Sequence, residues 1–374
     1  MLDVLRWIDF EDGVVDRTRD ATKIQRSAYL PVGSIPVIDQ GHNAIAGYTN
    51  EPGSKYGGAL PVVLFGDHTR ALKFVDFPFA AGADGIKVLE PCAHLNARFL
   101  WYFLRAQRLP NDGYSRHFKH LRALKIPVPS MERQLRVADL LGRAESIFQM
   151  RKEAEHKAKG IIPALFLDMF GDPATNPKGW ELRQVGDAIR SAEYGTSTKA
   201  SDDKTGIPVI RMGNVDATGR LSVEDLKYVV LPEAQRRVYA LEPGDILFNR
   251  TNSKELVGKT GIWRGPERAV AASYFIRVRV DEETVLPDYF WVFMNTRHMK
   301  SVLYSTARGA IGQSNINAKE LRALRIPFPP TSLQKTFARR IAEALELEEW
   351  QGRASGMART AFQSLLAGVF GEVE

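Results

Sequence analysis

The 374-residue sequence has a single cysteine, Cys92, and no long apolar run. One cysteine excludes an internal disulfide and a cysteine-rich zinc site, and it is typical of proteins from a reducing compartment. No stretch approaches the ~20 apolar residues that span a bilayer. The first residues, MLDVLRWIDFEDG, lack the apolar core of a signal peptide. The sequence therefore predicts a cytoplasmic protein with no membrane partner.

Signatures of catalysis are also missing from the sequence. The segment SKELVGKT has Ser253 where a phosphate-binding loop requires glycine. The segment TNPKGW only partly resembles the Asn-Pro-Pro-aromatic motif of amino-methyltransferases, because Lys178 stands in place of the second proline. No GxSxG motif occurs. Three histidines of the first domain lack metal-ligand spacing: His42, His68 and His117. We therefore predict a binding protein with no catalytic residues, no metal and no cofactor of its own.

The charge balance is basic but modest. The 51 Lys and Arg residues exceed the 44 Asp and Glu residues by 7, and the sequence pI is about 9.3. This range is compatible with a nucleic-acid partner, although many basic proteins bind none. Because the excess is spread over a long chain, phosphate binding would have to come from local clusters of basic side chains.

One nine-residue phrase occurs twice, as LRALKIPVP at 121–129 and as LRALRIPFP at 321–329. With a constant offset of 200, 16 of the 53 paired positions from 119 to 171 are identical, including Gln134/Gln334 and Phe170/Phe370. Two further repeats keep the same order at offsets of 190 and 172: FLWYFL with YFWVFM, and IPVI with IPVI. We infer a tandem duplication of a variable region followed by a helical region.

The duplication predicts an α+β protein with four regions. Short β-rich runs such as SIPVI, LPVVLF, GDILFNRT and SYFIRVRV, together with aromatic helix candidates, indicate two domains of mixed α/β character. We expect the first domain over 1–129 and a central helical spacer over 130–170. The second domain then covers 171–329, and a C-terminal helical spacer covers 330–374.

Both spacers have a narrow apolar stripe at helical spacing. The stripe residues of the two copies are Val137, Leu141, Ala144, Phe148 and Phe337, Ile341, Ala344, Leu347. Each helix would be ~60 Å long if continuous, and Gly160 and Pro163 are expected to kink or divide the first. We predict that the two helices pair as an antiparallel coiled coil with pseudo-twofold symmetry. The alternative is that each helix packs on its own preceding domain.

Polar loops provide candidate DNA contacts. Arginine can bind guanine through two hydrogen bonds, Asn and Gln can bind adenine in the same way, and Ser, Thr and Lys suit phosphates. In the first domain the candidates are Gln40, His42, Asn43, His68, Thr69, Arg70, Lys73, Ser115, Arg116 and His117. In the second domain they are Tyr194, Thr196, Ser197, Thr198, Lys199, Arg211, Asn214, Asn249, Arg250, Thr251, Asn252, Lys254, Arg308, Gln313 and Asn315. For each single residue the alternative is an ordinary solvated loop side chain.

The framework is repeated whereas these loops differ. The strand ends Leu64-Phe65 and Leu247-Phe248 are equivalent, yet the first leads into GDHTR and the second into NRTNS. Such a pattern favours two domains that read two different short sequences.

Over essentially its whole length the chain resembles a specificity subunit of a type I restriction-modification system. The resemblance is carried by the duplicated phrase with its following Gln134 and Gln334, by the two IPVI strands, and by LFGDHTR, GYSRHFK, GQSNIN and NPKGW. Each motif is short, but their order and double occurrence make the match specific. The region before the first IPVI is short and has no NPKGW-like phrase.

This resemblance implies two target recognition domains, each reading one half of a bipartite site in double-stranded DNA. It implies that the paired helices act as a ruler for the unspecified base pairs between the halves. It also implies that two methyltransferase (M) subunits dock on the chain and supply S-adenosylmethionine, and that ATP-dependent restriction (R) subunits can join. The assembled complex would be a DNA adenine methyltransferase and endonuclease, with this chain as its non-catalytic subunit.

Three alternatives remain. The chain could be a scaffold or adaptor whose helices bind proteins and whose domains do not bind DNA. It could also be an enzyme with an unrecognised site, or the specificity module of a related restriction system. A protein that grips phosphates loses affinity steeply between roughly 50 and 200 mM salt, so salt-dependent DNA binding separates the first alternative from the specificity subunit.

Overall fold

The structure, a computed structural model, describes residues 6–83, 85–113, 115–252, 257–265, 268–310 and 313–371; of residues 252, 308–310, 313 and 314 it describes the backbone. The chain forms two compact units. Unit 1 contains residues 1–153 and 353–374, and unit 2 contains residues 154–352. Both unit boundaries fall inside long helices, so each unit combines a globular domain with segments of two helices.

Unit 1 contains three small sheets and an aromatic helix. Its strands are β1 (Arg6–Asp9), β2 (Val14–Asp16), β3 (Ile35–Ile38), β4 (Gly47–Thr49), β5 (Val62–Gly66), β6 (Leu72–Val75), β7 (Ala80–Ala81), β8 (Ile86–Pro91) and β9 (Lys125–Val128). Its helices are α1 (Phe10–Gly13), α2 (Ala97–Ala106), α3 (Phe118–Arg122), most of α4 (Met131–Lys159) and the last part of α10 (Thr331–Phe370). The strand orders are β2-β8-β5-β6, β4-β3-β7 and β1-β9.

Unit 2 is built in the same way, with one additional sheet. Its strands are β10 (Leu182–Gln184), β11 (Ile189–Tyr194), β12 (Ile207–Ile210), β13 (Lys227–Val229), β14 (Ile246–Asn249), β15 (Thr251–Asn252), β16 (Thr260–Ile262), β17 (Val270–Ala271), β18 (Phe275–Val280), β19 (Arg308–Ala310), β20 (Gln313–Asn315) and β21 (Arg325–Pro327). Its helices are α5 (Ile161–Phe170), α6 (Glu233–Tyr239), α7 (Pro287–Met294), α8 (Arg297–Thr306), α9 (Ala318–Ala323) and the first part of α10 (Thr331–Phe370). The strand orders are β11-β18-β14-β16, β13-β12-β17, β10-β21 and β15-β20-β19.

The sheets of the two units correspond strand by strand. Each IPVI strand lies between an antiparallel and a parallel neighbour: β3 between β4 and β7, and β12 between β13 and β17. The two strands that contain the Leu-Phe pairs, β5 and β14, are both inner strands of four-stranded antiparallel sheets. Both units are thus mixtures of helix and sheet, as the sequence predicted.

The short N-terminal region also has a counterpart in unit 2. Strand β1 pairs with β9 in antiparallel register, and strand β10 pairs with β21 in the same sense. In each unit the second strand of this sheet contains the Ile-Pro pair of the repeated nine-residue phrase, which precedes a long helix. Residues 6–9 therefore provide the strand that residues 182–184 provide in unit 2.

The long helices begin and end as their sequences indicate. Helix α4 ends at Lys159, and α5 begins immediately after Gly160, so the predicted division of the first spacer is confirmed. Helix α10 runs without a break over 40 residues, or ~60 Å at 1.5 Å per residue. Helices α5 and α10 each end at a phenylalanine that is followed by glycine. These glycines, Gly171 and Gly371, have φ values of +82° and +67°. Glycine adopts this left-handed conformation without a Cβ penalty, which explains the repeated Phe-Gly pair.

Aromatic side chains form the core beside the long helices in each unit. In unit 2, Phe170 of α5 contacts Tyr289 of α7 and Phe337 of α10, with ring centroids 4.8 and 5.0 Å apart. In unit 1, Phe370 of α10 contacts Phe99 and Phe103 of α2, at 5.2 and 5.7 Å. Phe170 and Phe370 are paired by the sequence repeat. Each lies at the end of its helix and completes the aromatic core of its own unit.

Among the described residues, none of the helices combines the length and apolar character that crossing a membrane requires.

We predict that Phe170→Ala lowers the free energy of unfolding of unit 2 by about 3–5 kcal/mol, because it leaves a cavity among three aromatic rings. Leu167→Ala is the matched control, since Leu167 lies on the same helix and is 49% exposed; we expect a cost below about 1 kcal/mol. Denaturant unfolding followed by tryptophan fluorescence would measure both. Equal losses for the two variants would contradict the assigned core.

Candidate nucleic-acid interface

In unit 1 three of the predicted loops meet at the end of strand β5. The hydroxyl of Thr69 donates to the main-chain oxygen of Gln40, and the main-chain N–H of His68 donates to Oε1 of Gln40 at 3.4 Å. The Nδ1 atom of His68 lies 3.1 Å from the main-chain oxygen of Ser115. The loops around residues 40, 68 and 115 are therefore joined to one another, although they are far apart in sequence.

A glycine allows this close approach. A Cβ atom on Gly66 would lie 2.2 Å from Oγ1 of Thr69 and 2.6 Å from the main-chain oxygen of Gln40. Such distances exclude any larger residue without movement of the backbone. Position 66, the last of β5 and the first of the Gly-Asp-His-Thr-Arg segment, therefore requires glycine.

Two basic residues of this region are partly engaged by the protein itself. The ammonium group of Lys73 donates to the main-chain oxygen of Asp39 at 2.8 Å, and burial lowers its pKa although the Asp39 carboxylate opposes the effect. Arg70 adopts a positive φ of 60°, and its Nη1 donates to the main-chain oxygen of Leu109 at 3.3 Å. Lys73 thus braces the 39–43 loop, whereas the rest of the Arg70 guanidinium borders an open cleft of about 350 Å³.

His117 is buried in the interior of unit 1. Its Nδ1 lies 3.0 Å from the main-chain oxygen of Asp67, and its Nε2 accepts from the main-chain N–H of Asp112 at 3.4 Å. These bonds use both ring nitrogens for loop structure. In this conformation His117 cannot reach a DNA base, which argues against the role that the sequence suggested for it.

The neighbouring candidates differ from His117 in exposure. Arg116, His42 and Asn43 are exposed, and Ser115 is partly buried with its hydroxyl oxygen unpaired among the described residues. The exposed side chains lie in the loops that converge at the end of β5. These side chains are accessible to an external ligand.

In unit 2 the predicted loops also converge, at the end of strand β14. The guanidinium of Arg250 lies over the ring of Tyr194, with Cζ 4.8 Å from the ring centroid. Thr251 donates from its hydroxyl to Oδ1 of Asn315 at 3.1 Å. The small sheet of β15, β20 and β19 pairs Thr251 with Asn315 and Arg308 with Asn315, so the backbone joins the 250s and 308–315 loops.

Tyr194 and Arg250 form a platform at the rim of this cluster. Tyr194 is 45% exposed, and Arg250 donates through Nη1 to the main-chain oxygen of Ser273 at 3.4 Å. The contact with the ring and this hydrogen bond restrain the position of the guanidinium. Its fork of donors suits a group that offers two neighbouring acceptor atoms, such as a base edge or a phosphate.

Asn249, directly before Arg250, is fully buried. Both its Oδ1 and its Nδ2 lack a hydrogen-bond partner among the described residues. An unpaired buried amide is costly, at roughly 1–3 kcal/mol for each unsatisfied group. The side chain is therefore at the predicted position but is not accessible in this conformation.

The 194–199 loop is mixed in exposure. Thr196 is buried and donates to the hydroxyl of Thr198 at 3.0 Å, and the main-chain N–H of Thr198 donates to Oγ1 of Thr196 at 3.2 Å. Ser197, Thr198 and Lys199 are exposed. Thr196 thus shapes the turn, and the three residues after it form its accessible edge.

Arg211 and Asn214 have a structural role in unit 2. The side chain of Asn214 accepts from the main-chain N–H of Arg211 at 2.9 Å and donates to the main-chain oxygen of Asp225 at 3.0 Å. Arg211 donates to the carboxylate of Asp225 at 3.3 Å. Asn214 is buried, so it caps a short turn and is not presented to solvent.

The remaining candidates are less fully described. Lys254 lies outside the described residues. For Asn252, Arg308 and Gln313 the backbone places them in β15, β19 and β20 next to Thr251 and Asn315.

Two lysines outside the predicted set, Lys259 and Lys300, bond to or lie in the segment that pairs with Asn249 through the main chain. Lys300 donates to the main-chain oxygen of Gly258 at 2.7 Å, and burial, together with repulsion from Lys259, lowers its pKa to about 8. Lys259 donates to the main-chain oxygen of Val215 at 2.6 Å, and burial lowers its pKa as well. The sequence does not distinguish a lysine whose ammonium group bonds to main-chain oxygens inside the protein from a lysine that is exposed to solvent.

The family model of the type I restriction modification DNA specificity domain matches residues 177–348. A putative type I restriction enzyme specificity subunit, MjaX of Methanocaldococcus jannaschii, is 31% identical over 173 residues, which are 45% of this chain and 40% of that protein. The EcoR124I/EcoR124II specificity subunit of Escherichia coli is 29% identical over 125 residues, or 31% of each chain. The matches thus span less than half of the length of these curated relatives.

Solved structures give the same fold over a longer range. The crystal structure of the type I restriction-modification S subunit from M. genitalium aligns with 100% of this chain and 98% of its own, at a TM-score of 0.66 and 12% identity. A chain from a structure that describes complex assembly and conformational transition of the type I R-M system aligns with 98% of this chain, at a TM-score of 0.55 and 16% identity. At these identities the comparison shows the fold.

Residues 177–348 thus match the family model of a type I DNA specificity domain. This match, together with the similarity to specificity subunits of type I restriction enzymes, confirms the resemblance that the motifs indicated.

We predict that His117→Ala destabilises unit 1 by about 2–4 kcal/mol, because it opens a cavity and removes two buried hydrogen bonds. Arg116→Ala, at the exposed neighbouring position, should change stability by less than about 0.5 kcal/mol. Thermal or denaturant unfolding of both variants measures the difference. If His117→Ala unfolds at the wild-type midpoint, its ring does not hold the loops together.

A second prediction concerns pH. Because the pKa of Lys300 is about 8 in the folded chain and ~10.4 when unfolded, the unfolded state binds more protons between these values. The free energy of unfolding should therefore rise with pH from about 8 to 10 by an amount of order 1–3 kcal/mol. Lys300→Met should lack this rise, because the other ionisable groups, including the neighbouring Lys259, are present in both proteins. Parallel pH profiles for the wild type and the variant would refute the buried charge.

Proposed function

We propose that this chain reads a bipartite site in double-stranded DNA, with one half-site bound by each unit. The support comes from the two clusters of loops at the ends of β5 and β14. Both clusters follow equivalent inner strands of sheets with the same strand order, but their side chains differ. A repeated framework that presents different polar side chains is what two readers of different sequences require.

In unit 2 the proposed reading surface is centred on Arg250. Its guanidinium lies on Tyr194, beside the hydrogen-bonded pair of Thr251 and Asn315. Arginine is the side chain that most often recognises guanine, and amides recognise adenine. The exposed hydroxyls and ammonium of the 197–199 turn suit the phosphates, which position the domain without reading sequence.

In unit 1 the proposed reading surface consists of the exposed parts of the joined loops. Arg70, His42, Asn43 and Arg116 supply donors and acceptors, and the bonds among Gln40, His68 and Thr69 hold the loops in place. Such internal bonds fix the exposed side chains before DNA binds, which reduces the ordering cost of recognition.

We further propose that helix α4, helix α5 and helix α10 set the number of base pairs between the half-sites. In this proposal the long helices pair as an antiparallel coiled coil and arise from a tandem duplication. Two methyltransferase subunits dock on the chain, and restriction subunits can join. The methyltransferase subunits supply S-adenosylmethionine, so the assembled complex methylates adenine and cleaves DNA with ATP, while this chain performs no reaction itself.

The observation that carries the proposal is the convergence, within each unit, of loops that are distant in sequence onto the end of the same framework strand. An adaptor that binds proteins through its helices has no need of such clusters.

The test maps methylated adenines in cells that express the chain with its methyltransferase partner, and in cells that lack the chain. We expect one gapped two-part motif that disappears without the chain. We then predict that Arg250→Lys relaxes one half-site and that Arg70→Lys relaxes the other. Each loses about 1–3 kcal/mol of discrimination, because lysine keeps the charge but not the two-pronged geometry.

The lysine variants act as controls for each other. Each should leave the opposite half-site unchanged and should retain the salt dependence of binding, since the number of basic side chains is the same. Simultaneous loss at both half-sites would indicate misfolding and would contradict the assignment. DNA binding that is absent, or that does not weaken with added salt, would favour an adaptor.

A further inference from the structure

Each long helix has a buried glutamine in its first turn. Gln134 lies in α4 and Gln334 in α10, and neither side chain is exposed to solvent. The duplication pairs these two positions, whereas the residues around them differ. A buried amide is unfavourable unless its donors and acceptor are satisfied, so the partners of the two glutamines indicate what they do.

Gln134 joins three segments of unit 1. Its Oε1 accepts from the main-chain N–H of Asn96 at 2.7 Å, and its Nε2 donates to the main-chain oxygens of His94 and Pro129 at 2.9 and 3.0 Å. Asn96 is the N-cap of the aromatic helix α2. The amide therefore ties the start of the long helix to the start of the domain's own helix and to the IP-P phrase.

Gln334 makes the same three bonds in unit 2. Its Oε1 accepts from the main-chain N–H of Leu286 at 2.8 Å, and its Nε2 donates to the main-chain oxygens of Thr284 and Pro329 at 3.0 and 2.8 Å. Leu286 is the N-cap of the aromatic helix α7. The two joints thus match bond by bond.

The joint requires glutamine but not particular neighbours. All six partners are main-chain atoms, so His94 and Asn96 can be replaced by Thr284 and Leu286 in the second copy without loss of a bond. A glutamate would turn an acceptor toward two carbonyl oxygens, and a methionine would offer no donor. This explains why the glutamine recurs although two of the three residues that it contacts have diverged, the third being Pro129 or Pro329.

A second contact holds each helix further along its length. Glu145 of α4 accepts from the hydroxyl of Tyr102 at 2.9 Å and from Nη1 of Arg105 at 2.6 Å. Glu348 of α10 accepts from Nε and Nη2 of Arg220 at 3.0 and 2.6 Å. The second contacts lie ~16 and ~21 Å beyond the glutamines at 1.5 Å per residue.

Two contacts at different points along one helix fix its direction relative to the domain. Apolar packing alone, through Leu141 in unit 1 and Ile341 in unit 2, leaves a helix free to roll or tilt by small steps. Directional hydrogen bonds at the first turn remove that freedom, because they weaken steeply when their angles change.

From these contacts we infer that Gln134 and Gln334 are positioning residues that set the angle between each DNA-reading domain and its long helix. They thereby determine the spacer length that the protein accepts. This inference rests on the proposed function, since a spacer exists only if the chain reads a two-part site.

The test measures spacer preference directly. The full-length chain, in complex with its methyltransferase partner, is bound to DNA in which the two half-sites are separated by the native spacer or by one base pair more or fewer. For Gln134→Met with Gln334→Met, we expect the preference for the native spacer to fall at least tenfold. The discrimination among bases within each half-site should be unchanged.

The matched control is Leu141→Ala with Ile341→Ala. These two residues are also paired by the repeat and fully buried on the same helices, so the variant loses stability without losing the joint. It should keep the native spacer preference. Hydrogen exchange at the amides of Asn96 and Leu286 provides a second measurement, because these amides should exchange faster in the glutamine variants than in the control.

The outcomes separate this inference from the proposed function. If the glutamine variants keep the wild-type spacer preference, or if the leucine and isoleucine control loses it equally, the glutamines are not positioning residues. If the double glutamine variant does not fold, Gln134→Met and Gln334→Met are tested singly. The spacer preference of each is then judged in the same way. If the wild type itself recognises no two-part site, the proposed function fails, and this inference fails with it.

Discussion

The structure depends on one packing arrangement, in which aromatic side chains of the spacer helices pack beside the aromatic helix of a globular domain. In unit 2 the aromatic helix is α7, whose Tyr289 contacts Phe166 and Phe170 of α5, and both of these rings contact Phe337 of α10. In unit 1 it is α2, which contacts Phe362 and Phe370 of α10. Helices in proteins gain most of their stability from tertiary packing of one face, so the domains supply the surface that stabilises α10.

This arrangement makes each unit discontinuous in sequence. The core of unit 1 includes Leu141 from α4 and Phe362 and Phe370 from the last helix. That core is therefore complete only when residues 353–370 have been added to it. The single chain thus folds as two units that share both long helices, and the aromatic residues at the helix ends link the stability of each unit to a distant part of the sequence.

In the polar loops, some polar side chains form hydrogen bonds within the domain and others are exposed to solvent. Each main-chain donor and acceptor that is removed from water needs a partner, and in loops these partners are often polar side chains. Thr69, His117 and Asn214 meet this requirement here, whereas Arg116 and Lys199 remain exposed. A cluster of polar residues in sequence therefore overestimates the number that are free to contact a ligand.

Much of the fold follows from the repeat. A constant offset of 200 with no insertion identifies equivalent helices, and the glycine and proline at 160 and 163 place the break in the first of them. The sequence predicted the polar loops but not their convergence. That Arg250 lies on Tyr194, and that Lys300 bonds to the main chain of Gly258, depends on the register of strands joined by long connections, which no local pattern encodes.

The sequence by itself determined the order of the elements, the entry and exit of the long helices, and the resemblance to type I specificity subunits, because these features depend on local residue types and on spacing along the chain. The tertiary structure decided which loop side chains are exposed and which are buried, and it decided that the duplicated glutamines join each helix to its domain. The physical reason is that a hydrogen bond between residues 38 to 50 positions apart requires the whole domain to be folded before its two ends can meet.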